Sequence, residues 1–414
     1  MRKNVSLVVK KGLCFGCGIC SDACSRKCIT IRHEIDATYP VVNDAQCTQC
    51  GLCLQVCAGQ GIKIEEKAKA LFEKPEVYKS KYMGYYHTCF SGYSTNHEIR
   101  YHSASGGCLS QSLIYLLDKK IIDGAVVVGF EGDSPMTPRT YIARITEEII
   151  AGRSSKYCST SYEGIFTQIK KEGGRYALVG LPCQIQSMRK YVSTFKNVEK
   201  QIVAFFAIYC SSTRTMRSQD YLLYRYGVKR EDVKRFAYRD NGCLGEMVFE
   251  GENGKILKTV PYQKFWIGMR GFFSVPRCSL CIDHFGELAD VSFGDIYIGE
   301  YKNDHVGVNS IVSRSLYWSE LLKQAAMDGY LHLDEISPET VEDSQGYAKR
   351  SKKGFGVVAT FKYRRLFGLS SPKYDQPFVV MSVSWIETFK HNIKNNAMLW
   401  IGRHKWMWWL IKIM

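Results

Sequence analysis

The sequence contains no uncharged apolar run of about 18 residues, so no membrane-spanning helix is expected. Its first residues, MRKNVSLVVKKG, lack the continuous apolar core of an export signal. Acidic residues are in short supply, 40 against 56 Lys and Arg, for a net charge of +16. The shortage is local. Between Lys349 and Met414 two acids, Asp375 and Glu387, face thirteen Lys and Arg, a surplus of 11. The first 348 residues carry only +5, so the basic balance is not a nucleic-acid signature of the whole chain and no nucleic-acid partner is expected. A hydrophobic content of 45% excludes a disordered or collagen-like chain. Cysteine, by contrast, is abundant, with 17 in 414 residues. Without an export signal a disulfide framework is not the expected use. Metal ligation, reactive thiols and small buried hydrophobes remain.

Nine cysteines fall in the first 57 residues. Cys14, Cys17, Cys20 and Cys24 form C-x2-C-x2-C-x3-C, and Cys47, Cys50, Cys53 and Cys57 repeat it. This repeat is the pattern of a two-cluster [4Fe-4S] ferredoxin module. Three cysteines at that spacing deliver three thiolates from one turning loop, and the fourth turns away to the other cluster. Cluster one is therefore assigned to Cys14, Cys17, Cys20 and Cys57, and cluster two to Cys47, Cys50, Cys53 and Cys24. Gly16, Gly18 and Gly51 suit the tight loops. Zinc is the alternative, but its ligands usually come as two separated C-x2-C pairs. Cys28 stands outside the pattern and reads as a packing thiol. CITIRHE and YPVVND between the repeats read as a hairpin, and GIKIEE after the second repeat should play the part of CITIRHE. The module is placed at 8–68, followed by a linker over 69–84.

From 85 to 346 strands and helices alternate, divided near 170, as expected for an α/β body with a mixed sheet. Strands are predicted at 125–130, 141–145, 175–180 and 201–210, and another within ELADVSFGD; Asn253-Gly254 marks a hairpin. Ser105-Gly106-Gly107 opens a helix, where free N–H groups suit a phosphate or glycine simply makes a turn. Cys183 sits just past the end of one strand and Cys210 ends the next; on parallel neighbours they would share one sheet edge. The C-x2-C of Cys278 and Cys281 would then complete a four-cysteine site, the alternative being buried free thiols. Cys89, Cys108, Cys158 and Cys243 read as packing residues. No histidine–acid or lysine constellation identifies a catalytic general acid, so the catalytic residues are unassigned.

The ferredoxin repeat followed by SASGGCLSQSLIYLLDKK, SSKYCST, RYALVGLPCQIQSMRK, FAIYCSS and RCSLCIDHFGELADVSFGD resembles the beta-subunit family of coenzyme F-420 hydrogenase/dehydrogenase over residues 10 to 345, in a form found in bacterial polysaccharide gene clusters. The resemblance implies FAD and [4Fe-4S] clusters. It makes Ser105, Gly106, Gly107, Lys156, Tyr157, Gly180 and Pro182 flavin-site candidates; Asp295 either faces the flavin or caps a turn. It also strengthens a third cluster at Cys183, Cys210, Cys278 and Cys281. The expected fold is an α+β ferredoxin module, an α/β flavin-binding body and a helical C-terminal tail. The expected function is an iron–sulfur flavoprotein oxidoreductase, partnered by a deazaflavin, ferredoxin or small organic substrate. A non-catalytic electron-transfer subunit bound to a partner subunit, or a membrane-associated component of polysaccharide biosynthesis, are the alternatives. The location expected is cytoplasmic.

The tail, 347–414, holds five of the seven tryptophans. Ile386, Phe389, Ile393 and Trp400 keep a helical spacing. Trp beside Arg403, Lys405 and Lys412 suits a peripheral anchor at an anionic membrane face; an aromatic helix docked on the body or on a partner is the alternative.

Overall fold

The computed structural model describes residues 3–130, 132–347, 352–379 and 382–413. Long β-branched and aromatic runs form an eight-stranded mixed sheet in the order Leu331–Glu335, Thr88–Ser94, Asn309–Ser313, Val291–Asp295, Ile202–Ile208, Tyr176–Gly180, Gly124–Phe130, Pro138–Ala143. The strands Val291–Asp295, Ile202–Ile208, Tyr176–Gly180 and Gly124–Phe130 run parallel. They are buried on both faces because helices cover both sides, which is why they read as continuous apolar runs. Helices Ile165–Glu172 and Pro182–Thr194 pack on one face through Phe166, Ile169, Ile185 and Met188. Helices Cys108–Asp118 and Leu316–Met327 cover the other through Leu113, Ile114, Trp318 and Leu322. A separate antiparallel sheet joins Arg235–Asp240, Glu246–Glu250 and Ile256–Pro261. Its last turn places both Asn253 and Gly254 at positive φ, the geometry that the Asn-Gly pair supplies.

Four details differ from the sequence expectations. The strand expected at 141–145 ends at Ala143, because the Arg144 N–H turns to the Glu148 carboxylate (2.6 Å) and a helix begins at Thr146. Cys210 lies two residues past the strand that was expected to contain it. GIKIEE forms no hairpin: Gly61 makes a single bridge to Lys373, and Ile64–Phe72 is a helix with Ile64, Ala68 and Phe72 buried. Residues 69–84, read as a linker, hold the end of that helix and part of the hairpin Tyr78–Ser80/Gly84–Tyr86.

The hairpin Ile29–Glu34/Ala37–Val42 forms as expected between the two cysteine runs. Two carboxylates of that N-terminal module help fasten it to the body. Asp22 accepts from the N–H groups of Gly164 (2.9 Å) and Phe166 (3.0 Å), capping the helix that starts at Ile165. Arg217 forks onto Asp36 at 2.5 and 2.6 Å. The tail returns across both parts: Asp375 caps the helix Ile64–Phe72 through the N–H groups of Glu65 (3.0 Å) and Glu66 (2.9 Å).

Gly106 sits where the helix Cys108–Asp118 meets the sheet, and a Cβ there would lie 2.5 Å from the Gly92 carbonyl and 2.8 Å from the Asn309 nitrogen. Neither is a flexible side-chain end. We therefore expect Gly106→Ala to lower the stability of the full chain by about 1–3 kcal/mol, measured by anaerobic chemical denaturation.

Candidate functional site

The two N-terminal loops turn through left-handed glycines, with Gly16, Gly18 and Gly51 at φ of 78°, 75° and 80°. A Cβ on Gly16 would come within 2.8 Å of the Thr38 carbonyl, so the loop approaches the hairpin more closely than other residues permit. Short helices, Ile19–Asp22 and Leu52–Gln55, then point the cysteines inward. Cys14, Cys17, Cys20 and Cys57 line one cavity together with Val5, Val8 and Ile19. Cys24, Cys47, Cys50 and Cys53 line a second. The fourth cysteine of each run thus stands with the first three of the other.

The donor sets suit cubane clusters. The thiols ring cavities, and among the described residues no three His, Cys, Asp or Glu converge as a single metal ion requires. Backbone and side-chain N–H groups point at sulfur: Gly59 donates to Cys57 Sγ (3.3 Å) and Asn4 Nδ2 to Cys47 Sγ (3.5 Å). Such bonds favour sulfur carrying negative charge. Cys28, assigned to packing, is buried but lines the second cavity, its sulfur 3.3 Å from that of Cys24.

A third group assembles in the body at the carboxyl ends of the parallel strands. Cys183 follows Gly180 and Pro182 at the start of the helix Pro182–Thr194. Cys210 follows Ile208, held by its N–H to the His284 carbonyl (3.0 Å). Cys278 and Cys281 flank the 3-10 turn Pro276–Leu280. Cys183 feels the charges of Cys281, Cys210 and Cys278, so the four thiols share one neighbourhood. The loop after Cys281 is pinned by Asp283, which accepts from Gly286 N (2.8 Å), Glu287 N (3.1 Å) and Gln186 Nε2 (2.9 Å) while fully buried.

Burial raises the pKa of the Cys14 and Cys210 thiols to about 12 and pushes up those of Cys57, Cys183 and Cys278. Thiolates there require nearby positive charge. Lys352, from the tail, lies 3.6 Å from Cys281 Sγ and donates to the Asp283 carbonyl (3.1 Å). Arg214 acts on Cys278 and Cys210. Arg277 is buried between the first and third groups. It donates to the Gly59 carbonyl (3.2 Å) and Tyr374 hydroxyl (2.9 Å), and its charge acts on Cys14, Cys57, Cys183 and Cys281. The helix Pro182–Thr194 also joins the two groups. It carries Cys183, then Ser187, whose hydroxyl accepts from Ala58 N (3.2 Å), then Lys190, which donates to the Cys57 carbonyl (2.5 Å).

The flavin-site candidates are dispersed over this face. Ser105 donates to the Val308 carbonyl (2.5 Å), and the Cys108 N–H is taken by Asn309 Oδ1 (3.0 Å), so protein groups engage that helix start. Gly107 is the left-handed cap. Lys156 is half-buried, donates to the Gly152, Arg153 and Ser154 carbonyls, and its pKa is drawn down to about 7 by desolvation. Tyr157 packs against Trp266 (4.7 Å), Tyr238 (5.4 Å) and Tyr262 (6.3 Å). Asp295, at a strand end, pairs with buried Arg239 at 2.6 Å. Sequence reasoning missed Arg214 and Arg239. Arg214 lies over Trp266 and Arg239 over Tyr262, each 4.8 Å from the ring centroid. Arg214 Nε and Arg239 Nη2 are buried donors without a hydrogen-bond partner. A planar, anionic group fits aromatic faces flanked by such donors. Arg214 links this face to the third cysteine group.

Comparison with known proteins bears on the two cysteine runs and on the sheet body. Residues 89–165 match the family model for the N-terminal part of the coenzyme F420 hydrogenase/dehydrogenase beta subunit, and residues 173–339 match the model for its C-terminal part. Together these matches span more than half of the chain. Residues 13–60 match a 4Fe-4S dicluster domain. The coenzyme F420 hydrogenase subunit beta of Methanosarcina barkeri is 25% identical over 300 residues, covering 67% of this chain and 95% of that protein. A coenzyme F420-dependent sulfite reductase of Methanocaldococcus jannaschii is 24% identical over 245 residues, 56% of this chain and 36% of that protein. A chain of the F420-reducing [NiFe] hydrogenase complex of Methanosarcina barkeri shares the fold, with a TM-score of 0.54 and 22% identity over 74% of this chain and 99% of that one.

Asp283 places a buried carboxylate under three donors. Asp283→Ala should strand them and cost about 1–3 kcal/mol of stability in anaerobic denaturation, and Asp283→Asn should cost less.

Proposed function

The chain belongs to the coenzyme F420 hydrogenase/dehydrogenase beta-subunit family and carries an iron–sulfur electron-transfer module, and from that premise we propose that it is an iron–sulfur flavoprotein oxidoreductase. In this reading, Cys14, Cys17, Cys20 and Cys57 hold one [4Fe-4S] cluster, and Cys24, Cys47, Cys50 and Cys53 a second. Cys183, Cys210, Cys278 and Cys281 hold a third, and FAD lies on the face made by Tyr157, Tyr262 and Trp266. Bound clusters would supply single-electron relay, and FAD would supply two-electron hydride exchange.

The observation that carries the reading is the sharing of elements between the groups. The helix Pro182–Thr194 carries Cys183 and donates to the Cys57 carbonyl, and the charge of Arg277, bonded to the Gly59 carbonyl, acts on both the first and third cysteine groups. Arg214 lies over Trp266 of the aromatic face, and its charge acts on the third group. Cys50 is exposed while Cys183 is half-buried, so in this reading the second N-terminal group faces an external carrier and the aromatic face lies at the other end. The chain's residues then have separable roles. Lys190, Arg277 and Lys352 balance thiolate charge. Arg214 and Arg239 direct N–H groups at an anionic ligand, with Asp295 orienting Arg239. Lys156, Gly180 and Pro182 border the same strand ends. The external carrier is a ferredoxin, and the hydride partner at FAD is a deazaflavin or a small organic molecule. A reducing cytoplasm, in which free thiols stay available as cluster ligands, would suit this chemistry.

Anaerobic purification with iron and flavin counting tests the reading. About twelve irons and one FAD per chain are expected. Cys183→Ala with Cys281→Ala should lower iron to about eight while the two N-terminal clusters persist. An unchanged count rejects the third cluster. Arg239→Gln should weaken FAD retention by at least about tenfold and leave iron unchanged; full retention of FAD rejects the aromatic face as its site. If the isolated chain retains FAD but neither oxidises nor reduces a deazaflavin until a partner subunit is added, it is the electron-transfer subunit of a complex.

A further inference from the structure

The C-terminal helix Trp385–Arg403 is apolar on two sides. Toward the protein it turns Thr388, which is fully buried, Asn392, which donates to the Ala359 carbonyl (3.2 Å), and Gly402, which lies against Phe272, with Met398 and Ile401 packed on the core beside them. A side chain at Gly402 would strike the Phe272 backbone, so the helix is seated closely. A second apolar stripe points outward. Ile386 is 68% exposed, Ile393 61% and Trp400 49%. Fourteen residues separate the ends of that stripe, about 21 Å of helix lying along the body. An aqueous surface does not select such an arrangement.

The stripe continues at both ends. Trp400 packs 6.0 Å from Trp406, which is 67% exposed, and Trp409 and Ile413 follow on the helix Trp408–Ile413. That last helix is anchored by buried Trp408, whose ring packs against Tyr221 (5.6 Å) and Tyr224 (5.5 Å). At the other end Phe389 meets Tyr363 (6.0 Å), which meets exposed Phe367 (4.7 Å). The tail thus docks on the body by one side and offers a continuous aromatic and aliphatic strip on the other.

The charges beside the strip identify its occupant. Lys390, Lys394, Arg403, Lys405 and Lys412 are all exposed. The one acid over Trp385–Ile413, Glu387, is tied into a capping box with Ser384. No helix among the described residues is long and apolar enough to cross a membrane. Trp rings with cations around an apolar strip, on helices laid along the body, have the chemistry of an interfacial element on anionic lipid. We infer that the strip from Phe367 through Ile393 and Trp400 to Trp409 is a monotopic membrane-docking surface. It lies in the plane of an anionic lipid face, with the body on the aqueous side. This inference is independent of the redox reading.

The test uses the full chain, purified anaerobically, floated with vesicles of phosphatidylcholine alone or mixed with phosphatidylglycerol. Binding to the mixed vesicles should exceed that to phosphatidylcholine by at least about tenfold and fall with added salt. Because five of seven tryptophans lie in the tail, brominated acyl chains should quench much of the tryptophan emission. The variant Ile386→Ser, Ile393→Ser, Trp400→Ser changes exposed side chains, so its iron content and circular dichroism should match wild type while vesicle binding drops at least about tenfold. Absence of binding to the mixed vesicles, or equal binding by the triple variant, overturns the inference. So does a self-associating protein that the variant renders monomeric without any binding to lipid, which would make the strip a protein interface.

Discussion

Burying many sulfur atoms close together is the constraint on which most of this architecture depends. A thiolate taken out of water is strongly disfavoured unless positive charge and hydrogen-bond donors surround it. The protein meets that demand from distant segments. Lys190 comes from a helix on the sheet, Arg214 from the loop after a parallel strand, Arg277 from a 3-10 turn and Lys352 from the tail. Gly59 and Asn4 add N–H groups directed at sulfur. No single element supplies a complete environment, so the N-terminal module, the body and the tail must fold against one another to make one.

That dependence divides the basic C-terminal region into two parts with different work. Residues 352–379 are built inward. Lys352 reaches the third cysteine group, Tyr374 hydrogen-bonds Arg277 and the Leu280 carbonyl (3.1 Å), and Asp375 caps a helix of the N-terminal module. Residues 385–413 are built outward, with Trp408 as the anchor and Ile386, Ile393 and Trp406 in solvent. Charge counting treats both as one tail because a lysine facing a thiolate and a lysine facing water count alike.

The same distinction explains what sequence reasoning reached. The cysteine runs were legible because their ligand geometry is local, set by spacings of two and three residues and by left-handed glycines. The parallel strands were legible because double burial makes them uniformly apolar. Gathering Cys183 and Cys210 on one sheet edge followed from strand ends alone, whereas Arg214, Arg239 and Asp283 are solitary polar residues whose partners are set by tertiary contacts. GIKIEE was misread because Ile62 and Ile64 alternate like a strand, while the four-residue spacing of Ile64, Ala68 and Phe72 carried the helical signal. Ser105-Gly106-Gly107 is ambiguous in principle: close backbone approach serves a phosphate or a neighbouring strand equally well. Here Gly92 and Asn309 occupy the space that a Cβ at Gly106 would need.

The placement of the cysteine groups also bears on how single-electron and two-electron chemistry can coexist in one chain. Exchange with a diffusing carrier requires a donor close to the surface, and the second N-terminal group, with exposed Cys50 and the surface residues Lys3 and Arg26 at its rim, has that character. Hydride exchange requires exclusion of water. The half-buried face of Tyr157, Tyr262 and Trp266, where FAD is proposed to lie, is flanked by Arg214 Nε and Arg239 Nη2, which have no hydrogen-bond partner among the described residues. In that reading, separating the two by the remaining cysteine groups would let each end keep the solvent environment its chemistry needs. If the apolar strip rests on a membrane, the docked helix shields the side of the body around Phe272 and Tyr221 that already packs against Trp408. The N-terminal module is fastened through Asp22 and Asp36 to segments that precede this helix in the chain, so its contacts with the body do not require the docking strip.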